Sequence, residues 1–316
     1  MSYLVTGGCG FIGSNFAHYL LEATNEDVVV MDCMTYASDI TNIEDLLVGS
    51  DRIKHVPVDI RVRNNIGNVF ETNDISAIFH FAAESHVDNS IDGPEVFVDT
   101  NVKGTFNLLE AAKEYKCKFV HVSTDEVYGF LGLDDSPFTE KTSLDPSSVY
   151  SATKASSDML VNSYNRTYGL HTVTTRCVNN YGPRQHREKL VPKVISNALN
   201  DEPIPVYGTG DNIREWIHVL DHCTGIYTAY TQGSPGETYN IGSGVEMNNI
   251  DLVKAIIKKT GSSEDLIEFV TDRKGHDFRY AIDSSKLRKL GWSPSYDSRD
   301  MFLNDGLEET INWYKQ

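Results

Sequence analysis

The chain has no apolar run approaching the roughly 20 residues that a membrane-crossing helix needs. Cations are scarce: 28 Lys and Arg stand against 45 Asp and Glu, a formal net charge of -17. Such an excess of acid argues against a nucleic-acid or membrane-surface binder. An anionic ligand would need local cations; Arg184, Arg187, Lys189, Arg214, Arg273 and Lys274 are candidates, all in the C-terminal half. Cysteine is sparse and unpatterned. Cys9, Cys33, Cys117, Cys177 and Cys223 form no C-x-x-C or Cys/His spacing, so no metal site is expected and reduced thiols are the default. There is no internal repeat and no low-complexity linker. The chain runs into a strand-like segment at Tyr3, leaving no room for a signal peptide, so a soluble cytoplasmic protein is expected.

What is present is alternation. Tyr3–Thr6, Val28–Asp32, His55–Val58, Ala77–Phe81, Lys118–Ser123 and Thr172–Arg176 read as strands, and Phe11–Leu21, Val102–Tyr115 and Tyr150–Tyr168 as helices. Such alternation predicts an α/β fold: a doubly wound parallel sheet of Rossmann type with helices on both faces. After Asn179, Gly, Pro and aromatic residues punctuate shorter elements, with helical patterns at Leu252–Thr260 and Leu307–Tyr314. The expected division is a cofactor domain over 1–178 and a smaller, mainly substrate-binding lobe over 179–316. Segments near 212–242 are expected to return to the first domain.

Gly7, Gly8, Gly10 and Gly13 follow the first strand and open the first helix. They fit G-x-G-x-x-G through Gly8, Gly10 and Gly13, and G-x-x-G-x-x-G through Gly7, Gly10 and Gly13. Glycine there permits a tight turn and lets a pyrophosphate approach the helix N-terminus. Asp32 closes the second strand, where a carboxylate accepts from an adenosine ribose diol and repels a 2′-phosphate, favouring NAD over NADP. Asp59 follows the third strand and could meet the adenine. A turn or helix cap is its bland alternative.

Two constellations carry chemistry. Tyr150 and Lys154, four apart, share one helix face. A free tyrosine with a pKa of about 10 is a poor base, but a nearby ammonium and a positive nicotinamide favour the phenolate. Thr124, Asp125 and Glu126 put a hydroxyl and two carboxylates where the fifth strand ends. Neighbouring strand residues point to opposite faces, so the chain must leave strand geometry there if both acids are to reach one substrate.

These residues, with Thr6–Gly13, Phe81–Asp88, Ser123–Gly129, Tyr150–Lys154, Thr175–Pro183, Glu188–Pro192, Arg214–Trp216 and Asp272–Asp277, carry a resemblance that runs nearly end to end. The chain resembles the extended short-chain dehydrogenase/reductases, and within them the nucleotide-sugar 4,6-dehydratases of the dTDP-glucose type. The resemblance implies oxidation at C4 by Tyr150 and Lys154 with Thr124 at O4, C5 deprotonation by Glu126, and protonation of the departing C6 hydroxyl by Asp125. For NAD it implies a lining of Gly7, Gly10, Phe11, Ile12, Gly13, Asp32, Cys33, Met34, Thr35, Asp59, Ile60, Phe81, Ala82, Ala83, Glu84, Ser85, Thr100 and Asn180, with Tyr150 and Lys154. Facing the sugar nucleotide it places Ser85, Thr124, Asn179, Lys189, Leu190, Val191, Pro192, Lys193, Val194, Pro205, Val206, Tyr207, Arg214, Asn249, Asp272, Arg273, Lys274, Gly275 and His276. It also implies a homodimer built on the helices at Val102–Tyr115 and Tyr150–Tyr168, and a place in deoxysugar supply such as dTDP-rhamnose biosynthesis.

Arg214 suits a diphosphate grip on its own chemistry, a planar fork of donors; a salt bridge between lobes is the alternative. His86, His186 and His276 read as packing or hydrogen-bonding groups. Asn89, Val178 and Lys274 depart from the usual Arg, Ser and Pro of the dTDP type, and Asn89 resembles UDP-glucose 4,6-dehydratases. The alternatives are therefore a UDP-glucose 4,6-dehydratase, a nucleotide-sugar 4-epimerase and a non-catalytic NAD-binding protein. An epimerase needs no elimination and typically carries small uncharged residues at the positions of Asp125 and Glu126.

Overall fold

Val28, Val29 and Val30 are all buried, as a strand enclosed on both faces requires. In the computed structural model, which describes residues 1–272 and 277–316, they lie in a seven-stranded sheet whose neighbouring strands all pair in parallel. Its strands are β1 (Ser2–Thr6), β2 (Asp27–Met31), β3 (Ile53–Val56), β4 (Ile75–His80), β5 (Lys118–Thr124), β6 (Thr172–Cys177) and β10 (Thr238–Ile241). The order is β10-β6-β5-β4-β1-β2-β3. Side-chain alternation splits the core: Leu4, Val29, Ile78 and Phe119 pack on one face, Val5, Val28, Phe79 and Val120 on the other. The chain steps from β3 to the far side of β1 to form β4, so the order reverses between β1 and β4. That reversal leaves a crevice at the carboxyl ends of the strands.

β3 ends two residues earlier than the alternation suggests, because Pro57 has no N–H for the ladder. The helix expected at Val102–Tyr115 begins further upstream. It runs as Pro94–Phe97, a π-helical stretch Val98–Gly104, and Thr105–Tyr115. β-branched residues, Asn101 and Gly104 blur the α-helical period there. Helix Val149–Tyr168 starts with a reciprocal Ser148–Ser151 capping box and stops at Gly169, whose φ of 66° suits glycine.

The later chain builds a separate apolar core including Tyr181, Trp216, Ile256 and Phe302. Around it lie a three-stranded sheet, β11 (Glu246–Asn248), β9 (Ile213–His218) and β7 (Asn179–Tyr181), and the parallel pair β8 (Ile204–Tyr207) and β12 (Ile267–Val270). Helix Val219–Gln232 packs against helix Phe11–Ala23 beside the main sheet, and β10 pairs with β6. No described helix is long and apolar enough to cross a membrane.

Candidate active site

The crevice at the β1–β4 reversal opens into a cleft lined by the glycine turn, Asp32, the residues after β4, the turn after β5, and Tyr150 and Lys154. At one end helix Phe11–Ala23 starts at Gly10 without a side-chain cap, a terminus suited to a pyrophosphate. Close packing enforces the glycines. A Cβ on Gly13 would lie 2.3 Å from the Gly7 carbonyl oxygen, and Gly7 has φ of 68° with Ala82 N 2.7 Å from its Cβ position. Asp32 is held by three donors: Cys9 N at 3.0 Å, Met34 N at 2.9 Å and Ser38 Oγ at 2.9 Å. Asp59 is gripped by Arg61 through Nε and Nη2, with Nη2 to Oδ2 at 2.6 Å. Arg61 chiefly holds that carboxyl below its ordinary range. Glycine turn, uncapped terminus and anchored acid fit a dinucleotide. Every residue expected to face it lines the cleft except Met34, whose backbone takes the left-handed conformation at φ 57°.

At the other end, β5 stops at Thr124. Its hydroxyl accepts from Glu126 N at 3.3 Å, and the next residues form a 3₁₀ turn over Asp125–Tyr128. That turn is the departure from strand geometry the two acids require, and both line the cleft. Asp125 is 3% exposed. Its Oδ1 accepts from the Thr124 hydroxyl at 3.2 Å, while Oδ2 has no partner among the described residues. Burial, then Glu126, then Glu215 push the Asp125 carboxyl well above the usual range. That shift favours the protonated form, the one able to give a proton.

Burial, Glu126 and Cys177 also raise the Tyr150 phenol, and a hydrogen bond with Thr124 opposes them. Lys154 donates to the Val122 carbonyl at 2.8 Å. Burial brings its ammonium down to about 8, with Asp158 pulling the other way. Asn180 lines the cleft, and its amide Oδ1 accepts from His222 Nδ1 at 2.9 Å.

The residues expected to face a sugar nucleotide divide. Ser85, Thr124, Asn179, Lys189 and Leu190 line the cleft, and Lys189 Nζ donates to the Ser85 carbonyl at 3.2 Å. Val191, Pro192 and Val194 are buried on helix Leu190–Leu199, and both valines belong to the later core. Val206 is buried there too, while Pro205 and Tyr207 flank it on β8. Lys193 is exposed on its helix and Asn249 opens helix Asn249–Thr260. Asp272 lies against the Gly208 turn, its Oδ2 3.1 Å from the glycine's Cβ position. Arg273, Lys274, Gly275 and His276 lie outside the described residues. Arg214 is 5% exposed and donates to the carbonyls of Ile213 and Asp277 at 2.7 and 2.9 Å, with its guanidinium 4.5 Å from the Tyr280 ring centre.

Three groups have no role assigned to them by the motifs. Glu188 lines the cleft with its carboxylate 3.9 Å from His86 Nε2 and 3.7 Å from His186 Nδ1. Tyr280 is buried, donates to Asp277 and feels the charge of Glu126. Asp158 lies one turn beyond Lys154, paired with Arg176. Only the i, i+4 spacing of Lys154 and Asp158 was visible in the sequence. No group of His, Cys, Asp and Glu among the described residues could hold a metal.

A family model described as GDP-mannose 4,6 dehydratase matches residues 4–304, and the chain belongs to that family of nucleotide-sugar dehydratases. Narrower likenesses lie within it. The chain is 45% identical to a dTDP-glucose 4,6-dehydratase of Escherichia coli, over 99% of this chain and 93% of the relative. It is 49% identical to the low-salt glycan biosynthesis protein Agl12 of Haloferax volcanii, over 99% and 98%. Among solved structures, the dTDP-glucose 4,6-dehydratase DesIV of Streptomyces venezuelae, solved with NAD bound, superposes with a TM-score of 0.94. That match has 44% identity and covers 100% of this chain and 97% of DesIV.

Proposed function

We propose that this protein dehydrates dTDP-glucose, with NAD as resident cofactor, to the 4-keto-6-deoxy sugar. One observation carries the reading: Asp125 and Glu126 leave the end of β5 together and line the cleft that also holds Tyr150 and the glycine turn. An epimerase has no use for that pair. The named activities of the E. coli relative and DesIV support the dTDP sugar.

Bound NAD supplies the acceptor for the C4 hydride, the positive charge of its nicotinamide, and the hydride that returns to C6. Tyr150 takes the O4 proton, and Lys154 favours the phenolate form that can do so. The ketone at C4 makes the C5 proton acidic. Glu126 removes it, Asp125 protonates the C6 hydroxyl as the C6–O bond breaks, and water leaves with the C5–C6 electron pair now a double bond. Glu126 then returns its proton to C5. The proton gained at Tyr150 equals the one spent at Asp125, so exchange with water resets both. Thr124 orients O4 while capping the turn that aims both acids.

The finer assignments are a homodimer, a cytoplasmic location and supply of deoxysugars such as rhamnose. Support for the dimer comes from large side chains exposed on the two helical segments named for it: Phe106, Tyr115, Met159 and Tyr168.

Incubation with dTDP-glucose and with UDP-glucose in parallel, read by mass, tests the proposal. Loss of one water with higher efficiency on dTDP-glucose is expected. An isomer of unchanged mass would make the protein an epimerase, and preference for UDP-glucose would overturn the nucleotide assignment. No turnover of either would leave a binding protein.

A further inference from the structure

Beneath Lys154, where helix Val149–Tyr168 packs on the sheet, sits an acid for which dehydration has no direct use. Asp158 follows Lys154 by one helical turn and is 4% exposed. Its Oδ2 accepts from Arg176 Nε at 2.8 Å, and its Oδ1 lies 3.2 Å from His121 Nε2. Arg176 comes from β6 and His121 from β5, so two adjacent strands clasp one carboxylate. The Arg176 guanidinium also lies 4.7 Å from the Tyr128 ring centre, on the turn that carries Asp125 and Glu126. A buried ion pair is weak evidence for stability, since apolar residues of like volume often serve at least as well. Its retention beneath a catalytic lysine calls for another reason.

The charges around Lys154 supply one. From β6, Cys177 is pushed up to about 12, chiefly by burial, and stays a neutral thiol. His121 from β5 and His80 from β4 are both held uncharged by burial. His80 is further fixed between the Thr6 and Thr105 hydroxyls. The Pro94–Tyr115 run turns Asn101 toward Thr153 and Thr105 toward His80, while its charged Asp99 and Lys103 are exposed and paired with each other. Asp125 and Glu126 bear on Tyr150. Burial would raise the Asp158 carboxyl, yet Arg176 and His121 outweigh it and bring it to about 2. Among the described residues, Asp158 is the ionised acid that acts on the Lys154 ammonium.

We infer that Asp158 is a positioning residue whose fixed charge, attenuated by Arg176, keeps Lys154 protonated and so sets the alkaline limit of proton removal by Tyr150. The inference rests on the dehydration reading for its consequence, but not for the charge on Lys154. Without Asp158, burial drives the ammonium to release its proton nearer neutrality, and the Tyr150 phenolate loses its partner. Without Arg176, the Asp158 carboxylate beside His121 loses the cation that attenuates it and acts more strongly on Lys154. The two substitutions therefore move one titration in opposite directions.

The test is a carbon NMR titration of the full chain labelled at lysine Cε, with the Lys154 signal assigned by its loss in Lys154→Arg. The midpoint is expected to fall in Asp158→Asn and rise in Arg176→Met, each by roughly tenfold in proton affinity. The alkaline limb of 4-keto-glucose formation should follow with the same signs while KM is unchanged. Coincident midpoints overturn the inference, as do shifts of one sign in both variants, which report a loosened helix. If Asp158→Asn does not fold, Arg176→Met is compared with the Asp158→Asn/Arg176→Met double variant. A higher midpoint in the single variant supports the inference and equality overturns it. Shifts of the expected signs without keto-sugar formation by the unsubstituted protein would refute the dehydration reading and leave the charge assignment standing.

Discussion

The Glu126 backbone N–H donates to the Thr124 hydroxyl across 3.3 Å, and that bond ends β5. It converts a strand, in which successive acids would face opposite ways, into a turn that aims both at one cleft. Thr124→Val keeps the shape and removes the acceptor. Loss of such a cap costs about 0.5–2 kcal/mol. Thr124→Val is expected to lower product formation more than Thr124→Ser, which keeps the hydroxyl. Thermal melts and product assays on the pair check this, and equal activities would show that the cap does not aim the acids.

Asp125 carries a sign that can be measured. Its folded pKa is raised, chiefly by burial, so the acid form that the proposed mechanism needs at O6 is present at low pH. It is lost as pH rises through that folded value. The ratio of 6-deoxy product to 4-keto-glucose should therefore fall toward alkaline pH. In Asp125→Asn the ratio should be low and flat, with elimination slowed by about 10²–10⁴-fold. The same shift predicts that Asp125→Asn gains stability at alkaline pH and none below the ordinary aspartate range near 3.9. Denaturant midpoints at two pH values would read it, and a gain only at acid pH would contradict the assignment.

In the proposed mechanism Tyr150 and Glu126 act on different protons, so their losses should separate in time. Tyr150→Phe should abolish C4 oxidation, whereas Glu126→Gln should form some 4-keto-glucose and stall. Single-turnover mixing with quench and mass detection distinguishes them. Release of the 6-deoxy product by Glu126→Gln at the unsubstituted rate would remove Glu126 as the C5 base.

Gly13→Ala would press a methyl to 2.3 Å from the Gly7 carbonyl oxygen, and backbone cannot yield as a side-chain tip can. Overpacking of this kind costs about 1–3 kcal/mol. NAD affinity, followed by calorimetry, is expected to drop at least tenfold while the far-ultraviolet dichroism keeps its shape. Unchanged affinity would take the pyrophosphate away from this turn.

The sheet and cofactor end were legible because their signals are local. Val28, Val29 and Val30 form a continuous apolar run, and Gly7, Gly10 and Gly13 sit in one turn with a carboxylate at the next strand end. The acid pair was legible too, including its need to leave strand geometry. What the sequence hid are clusters assembled across the sheet. Asp158, Arg176 and His121 come from a helix and two strands, each reading as an ordinary member of its own element. Tyr280 reaches the neighbourhood of Glu126 from more than 150 residues away. Arg214 shows the reverse case, its donor fork legible but the carbonyls of Asp277 and Ile213 that occupy it not.

The π-helical stretch Val98–Gly104 is a stored residue of slack. Downstream of it, Asn107 reaches the Ile60 carbonyl and Thr105 reaches His80; within it, Thr100 lines the cleft and Asn101 holds both Glu84 and Thr153. An α-helix advances about 100° per residue. Deleting one residue here would restore regular winding and turn one of these two sets of contacts away from its partners. The irregular turn is thus a phase adjuster, allowing one helix to face the cofactor cleft on one side and the sheet on the other.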